Sequence, residues 1–147
     1  DGAAVLSGIP IVEIHPLLNG RFVHAKAYIV DGAVYVDDAY IGEPLPIEAV
    51  KTFVSGADVN IEVSQAMLHY VRDYRAEIGD VWARQENAGK IAYIEAFRGL
   101  VRGFKFKRDN KMSLFMRNLM DYDGKDVYEA MYVLCCIADR IKRKLKK

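Results

Sequence analysis

The sequence predicts an α+β chain: a small antiparallel sheet with a packed helix, followed by a basic all-helical C-terminal module. Three observations carry this. Short β-branched and aromatic runs, broken by Asn-Gly and Asp-Gly, fill the front of the chain. Further on, apolar residues recur at steps of three and four, the period of a helix face. Charge is segregated: residues 1–97 hold 7 Lys/Arg against 14 Asp/Glu, and residues 98–147 hold 14 against 6. The expected division is an α+β part over 1–86 and a helical basic module over 87–147.

Gly8 to Ile14 reads as a strand with Pro10 at its start. His15 to Gly20 reads as a loop, with Asn19-Gly20 a strong hairpin signal. Phe22 to Val30 is the central strand, and Asp31-Gly32 turns the chain into Ala33–Val36. These three runs make an antiparallel meander. Gly42-Glu43-Pro44-Leu45-Pro46 breaks regular structure before a short helix, Ile47 to Phe53, and a strand, Val59 to Val63.

Ser64 is placed to cap a helix from Gln65 to about Gln85, striped by Met67, Val71, Tyr74, Ile78 and Val81/Trp82. His69 falls off that stripe and is expected at the surface. Everything beyond Glu86 reads as helical, over Lys90–Phe104, Lys111–Met120 and Asp126 to about Lys144. Asp121 to Gly124 is a solvated turn. The last helix has an acidic start and a basic end, which suits its dipole.

At 147 residues the chain is long enough for one compact domain, with or without an appendage. Adjacent Cys135 and Cys136 cannot build a disulfide framework, so buried thiols and a reducing, cytoplasmic setting are expected. No apolar run is long enough to span a bilayer and no signal peptide is visible. The start at Asp1, without Met, points to a processed product or a fragment.

The central strand carries the candidate chemistry. Side chains alternate along a strand, so His24 and Lys26 project in one direction, about 7 Å apart. An ammonium can neutralise a phosphate there while an imidazole reaches phosphorus. The spacing His24-x-Lys26-x4-Asp31 resembles the signature of the phospholipase D (HKD) superfamily. Asn60-Ile61-Glu62-Val63 resembles that family's Asn-x-Glu-Val strand, and a helix ending near Trp82 follows, so the likeness covers about residues 8–86. Asp37-Asp38-Ala39-Tyr40 stands where the family has Gly-Ser-x-Asn.

The resemblance implies a metal-independent phosphodiesterase without cofactors. His24 would attack phosphorus to give a phosphohistidine, Lys26 would hold the oxygens, and Asp31 would shape the site. A second copy in a homodimer, or a missing half of a longer polypeptide, would supply the second motif that the family requires.

The basic end suggests a polyanion. Phe104-Lys105-Phe106-Lys107-Arg108 interleaves aromatic and cationic residues. Arg140, Lys142, Arg143, Lys144, Lys146 and Lys147 crowd the C-terminus. Such segments bind nucleic-acid phosphates by counterion release. An anionic membrane surface or an acidic protein would suit the same charges. Two functions follow: a phospholipase-D-like nuclease, and a non-catalytic nucleic-acid-binding or assembly protein that uses the basic helices.

Overall fold

The computed structural model describes residues 8–17, 19–63, 68–79, 82–85 and 89–145, with the side chains of Tyr70 and of 82–85 left aside. The element order is β1 (Ile11–Pro16), β2 (Phe22–Val30), β3 (Ala33–Gly42), α1 (Ile47–Val54), β4 (Asp58–Val63), α2 (His69–Ile78), β5 (Trp82–Gln85), α3 (Lys90–Val101), β6 (Lys105–Phe106), α4 (Ser113–Met120) and α5 (Glu129–Leu145). A 3-10 turn, Asn110–Met112, leads into α4.

The six strands form one mixed sheet in the order β5-β4-β1-β2-β3-β6. The expected meander β1-β2-β3 is its antiparallel centre. Its turns follow from local chemistry. Asp31 and Gly32 both take positive φ, 50° and 79°, as a two-residue type I′ hairpin requires. The longer β1–β2 loop closes through Leu17 N–H to Arg21 O at 2.8 Å, with Gly20 at φ 85°. On either side of the meander lie strands parallel to their neighbours: β4 on β1, β5 on β4 and β6 on β3.

The class expected from the sequence, α+β with basic residues gathered in the C-terminal helices, is the one the chain adopts. Two local differences matter. The single helix expected over Gln65–Gln85 stops at Ile78, where Gly79 takes φ 87°, and Trp82–Gln85 instead extends the sheet. Ser64, its expected cap, lies outside the described residues. The helix expected over Lys90–Phe104 stops at Val101, and Lys105–Phe106 pairs along β3.

Alternation along the strands sorts residues onto two faces. Val12, Ile14, Phe22, Val59, Ile61 and Val63 pack under α1 and α2. Ile11, Val23, Ala25, Ala27, Val36 and Ala39 pack under α3, α4 and α5. Ala25 and Ala27 of β2 share that cluster with Leu134, Ile137 and Ala138 of α5. Asn118 of α4 accepts the Ala130 N–H at 2.9 Å, satisfying a donor in the first turn of α5. Among the described residues no helix is long and apolar enough to cross a membrane.

Candidate metal centre

The residues singled out by the sequence take a different setting from the one expected. His24 faces α1, 4% exposed, with its ring centroid 4.5 Å from that of Phe53 and 5.2 Å from that of Tyr40. Burial pulls its pKa down to about 4, and its Nδ1 has no hydrogen-bond partner. Lys26 rests over the rings of Tyr28 and Phe53, its Nζ 5.9 Å and 5.8 Å from their centroids. Asp31 is an exposed turn residue. Strand pairing aligns Ile14 with His24 and His15 with Val23, so His15 points away from His24, to the other face. His69 is exposed at the start of α2. His15 and His24 therefore do not share a site.

The concentrated chemistry lies across the sheet. In β1, Glu13 and His15 point at α5 while Val12 and Ile14 point away. The parallel neighbour β4 repeats the pattern, with Asn60 beside Glu13 and Glu62 two residues on. From above, Tyr132, Cys136 and Arg140, spaced by four, descend from one side of α5. A polar stripe thus crosses an otherwise apolar interface. All seven residues are at most 4% exposed.

Hydrogen bonds tie the stripe together. Glu13 Oε1 accepts from Asn60 Nδ2 at 2.9 Å and lies 2.8 Å from His15 Nε2. Glu13 Oε2 accepts from the Arg140 guanidinium at 2.8 Å. Arg140 also donates to Val12 O and Asp58 O, at 2.8 Å and 2.9 Å. Glu62 accepts from the Tyr132 hydroxyl and lies 3.9 Å from Cys136 Sγ. Asp139, a turn away, accepts from Tyr93 and from Arg143.

The donor set fits a divalent cation. One ligand atom from each of Glu13, His15, Glu62 and Cys136 lies within 4.8 Å of all the others. Donors bonded at about 2.0–2.4 Å to a shared ion fall inside that span. Asn60 Oδ1 beside them is buried without a hydrogen-bond partner, a further oxygen of the right kind. The sequence offered a signal for this centre. Charged residues within strands that are apolar on both sides are almost never fully buried unless paired or ligating.

The expected nucleic-acid-binding residues divide. Lys105, Lys107 and Arg108 are exposed at and beyond the β6 edge. Lys142 is exposed, with its Nζ 5.8 Å from the Phe97 ring. Arg143 is bonded to Asp139, and Lys144 reaches Asp58 at 3.0 Å. Arg140 is interior, 4% exposed, where a nucleic acid does not reach it. Lys146 and Lys147 lie outside the described residues.

No family model and no curated relative matches the sequence. Solved structures define the class of fold: it is the one seen in viral terminase nuclease domains. The chain is similar to the human cytomegalovirus terminase nuclease domain, Mn-soaked and inhibitor-bound, with TM-score 0.64 and 8% identity, over 92% of this chain and 83% of that one. It is similar to the nuclease domain of g2p, the large terminase of bacteriophage SPP1 with bound Mn, with TM-score 0.63 and 9% identity, over 93% and 87%. The large terminase of a thermophilic bacteriophage matches at TM-score 0.57 and 13% identity, over 93% of this chain and 40% of that one.

These likenesses overturn the phospholipase D assignment: the chain has a terminase-nuclease-type fold. The expected metal-independent phosphohistidine enzyme falls with it. His24 is sealed between aromatic rings, and the grouping able to ligate a metal stands on the opposite face. The spacing His24-x-Lys26-x4-Asp31 arises here from a half-buried strand running into an Asp-Gly turn.

Proposed function

We propose that the chain is a divalent-cation-dependent phosphodiesterase of the nuclease type, acting on nucleic acid through Glu13, His15 and Glu62. One observation carries this reading. Four cation-ligating side chains converge from two parallel strands and the helix above them. The fold supports it, because its neighbours include nuclease domains described with Mn.

Carboxylate and imidazole donors suit manganese-class ions. A divalent cation in such a place supplies Lewis-acid stabilisation of charge building on a phosphoryl group. The chain's own residues orient the ligands. Asn60 and Arg140 fix the Glu13 carboxylate, and Tyr132 fixes that of Glu62. The ligands are at most 3% exposed under α5. Exposed Lys105, Lys107, Arg108 and Lys142 supply cationic contacts for the polyanion.

Cleavage of plasmid DNA and of single-stranded DNA, with and without Mn2+, tests the reading. Wild-type chain should cut only with the cation. Glu62→Gln should lower the rate at least about a hundredfold, because it removes a ligand charge. His24→Leu should leave the rate within about threefold, because His24 lies across the sheet from the chemistry. Cutting by Glu62→Gln at the wild-type rate would overturn the proposal.

A further inference from the structure

We infer that Cys136 is the fourth ligand of this centre, and that its thiolate shifts the centre's preference from manganese-class toward zinc-class ions. The inference rests on the cation-site reading above and concerns which ion the site takes. Two consecutive cysteines leave α5 about 100° apart. The Cys135 Sγ lies toward Ile94 O at 3.9 Å, and burial pushes its pKa up to about 12. Cys136 Sγ instead lies 3.9 Å from Glu62 Oε1, inside the 4.8 Å grouping. One thiol packs against α3, and its neighbour faces two carboxylates and an imidazole.

Charge balance makes the thiolate matter. Glu13, Glu62 and the Asp58 paired with Arg140 bring three negative charges, while Arg140, Lys144 on Asp58 and a divalent ion bring four positive ones. That assembly is left with one excess positive charge. A Cys136 thiolate cancels it, and a neutral cluster avoids the desolvation cost of a buried net charge. On binding, the S–H bond breaks, an S–metal bond forms and the proton leaves to the buffer. Thiolate is a soft donor that favours zinc and cobalt over manganese and magnesium. Four protein ligands with sulfur among them match the zinc set, whereas manganese favours oxygen.

Cobalt titration of the full chain, read by absorption, tests this, followed by calorimetric binding of Zn2+ and Mn2+. Bound Co2+ should give an intense near-ultraviolet thiolate-to-cobalt band besides its visible bands. Cys135→Ser should keep that band and Cys136→Ser should lose it. Cys136→Ser should weaken Zn2+ at least about tenfold and change Mn2+ by less than about twofold. Visible cobalt bands without the near-ultraviolet band overturn the inference and leave the cation site standing. Equal weakening of both ions by Cys136→Ser also overturns it. Failure of Co2+ to bind, or binding indifferent to Glu62→Gln, overturns the site reading as well. Where Cys136→Ser does not fold, the spectra of the wild type and Cys135→Ser decide the matter.

Discussion

Glu13 and His24 sit on paired strands, yet the sheet gives them opposite surroundings. Glu13 points into the polar stripe and finds Asn60, His15 and Arg140. His24 points between Phe53 and Tyr40 and stays neutral, its pKa lowered from 6.5 to about 4 by burial. Between those values the unfolded chain binds a proton that the folded chain does not. Stability therefore rises with pH across that window, is at its full level above 6.5, and is lost as pH falls toward 4. The loss is about 3 kcal/mol. Urea midpoints at pH 4.5 and 7.5 should differ by this effect in the wild type and much less in His24→Leu. An unchanged difference in the variant would contradict the burial argument. Arg140 is the other decisive residue. Arg140→Ala leaves Glu13 buried without its compensating charge, a loss of about 3–5 kcal/mol in the metal-free chain. Saturating divalent cation should recover part of it. Denaturation with and without cation checks this, and a loss below about 1 kcal/mol would contradict the pairing.

At the scale of elements, what was legible follows the strength of local signals. The meander was readable because Asn19-Gly20 and Asp31-Gly32 dictate their turns. The last helix was readable from a long apolar stripe with complementary charge at its ends. β5 and β6 were not. Trp82–Gln85 continues a helical spacing in the sequence, and only pairing with β4 makes it a strand. β6 is two residues long, below what periodicity detects. The centre was half legible. Glu62 was noticed in Asn60-Ile61-Glu62-Val63, but His15 read as a loop residue and Cys136 as packing alone. Their meeting depends on β4 lying parallel to β1 and on α5 covering both, contacts separated by 47 to 127 residues along the chain. The spacing from His24 to Asp31 misled because a strand and a turn reproduce it without any site.

For the whole molecule, the charge division acquires a physical meaning. The acidic front contributes Glu13, Glu62 and Asp58, and the basic end contributes Arg140 to the first and Lys144 to the last of them. Part of the opposite charge is thus spent holding α5 to the sheet. The exposed remainder, Lys105, Lys107 and Arg108 at the sheet edge, is available for phosphates. Replacing these three by Ala should weaken DNA binding similarly on unrelated sequences and lower the salt slope by about three. Fluorescence anisotropy across a salt series measures both, and an unchanged slope would remove that edge from the interface.

The claim on which the account stands is that a divalent cation binds among Glu13, His15 and Glu62, beneath α5. Anomalous diffraction from Mn2+-soaked crystals tests it most directly. The account predicts a peak about 2.0–2.4 Å from oxygens of both carboxylates and from an imidazole nitrogen. A soaked crystal with no peak there, and with the Arg140–Glu13 pair and the Tyr132–Glu62 bond undisturbed, would contradict it.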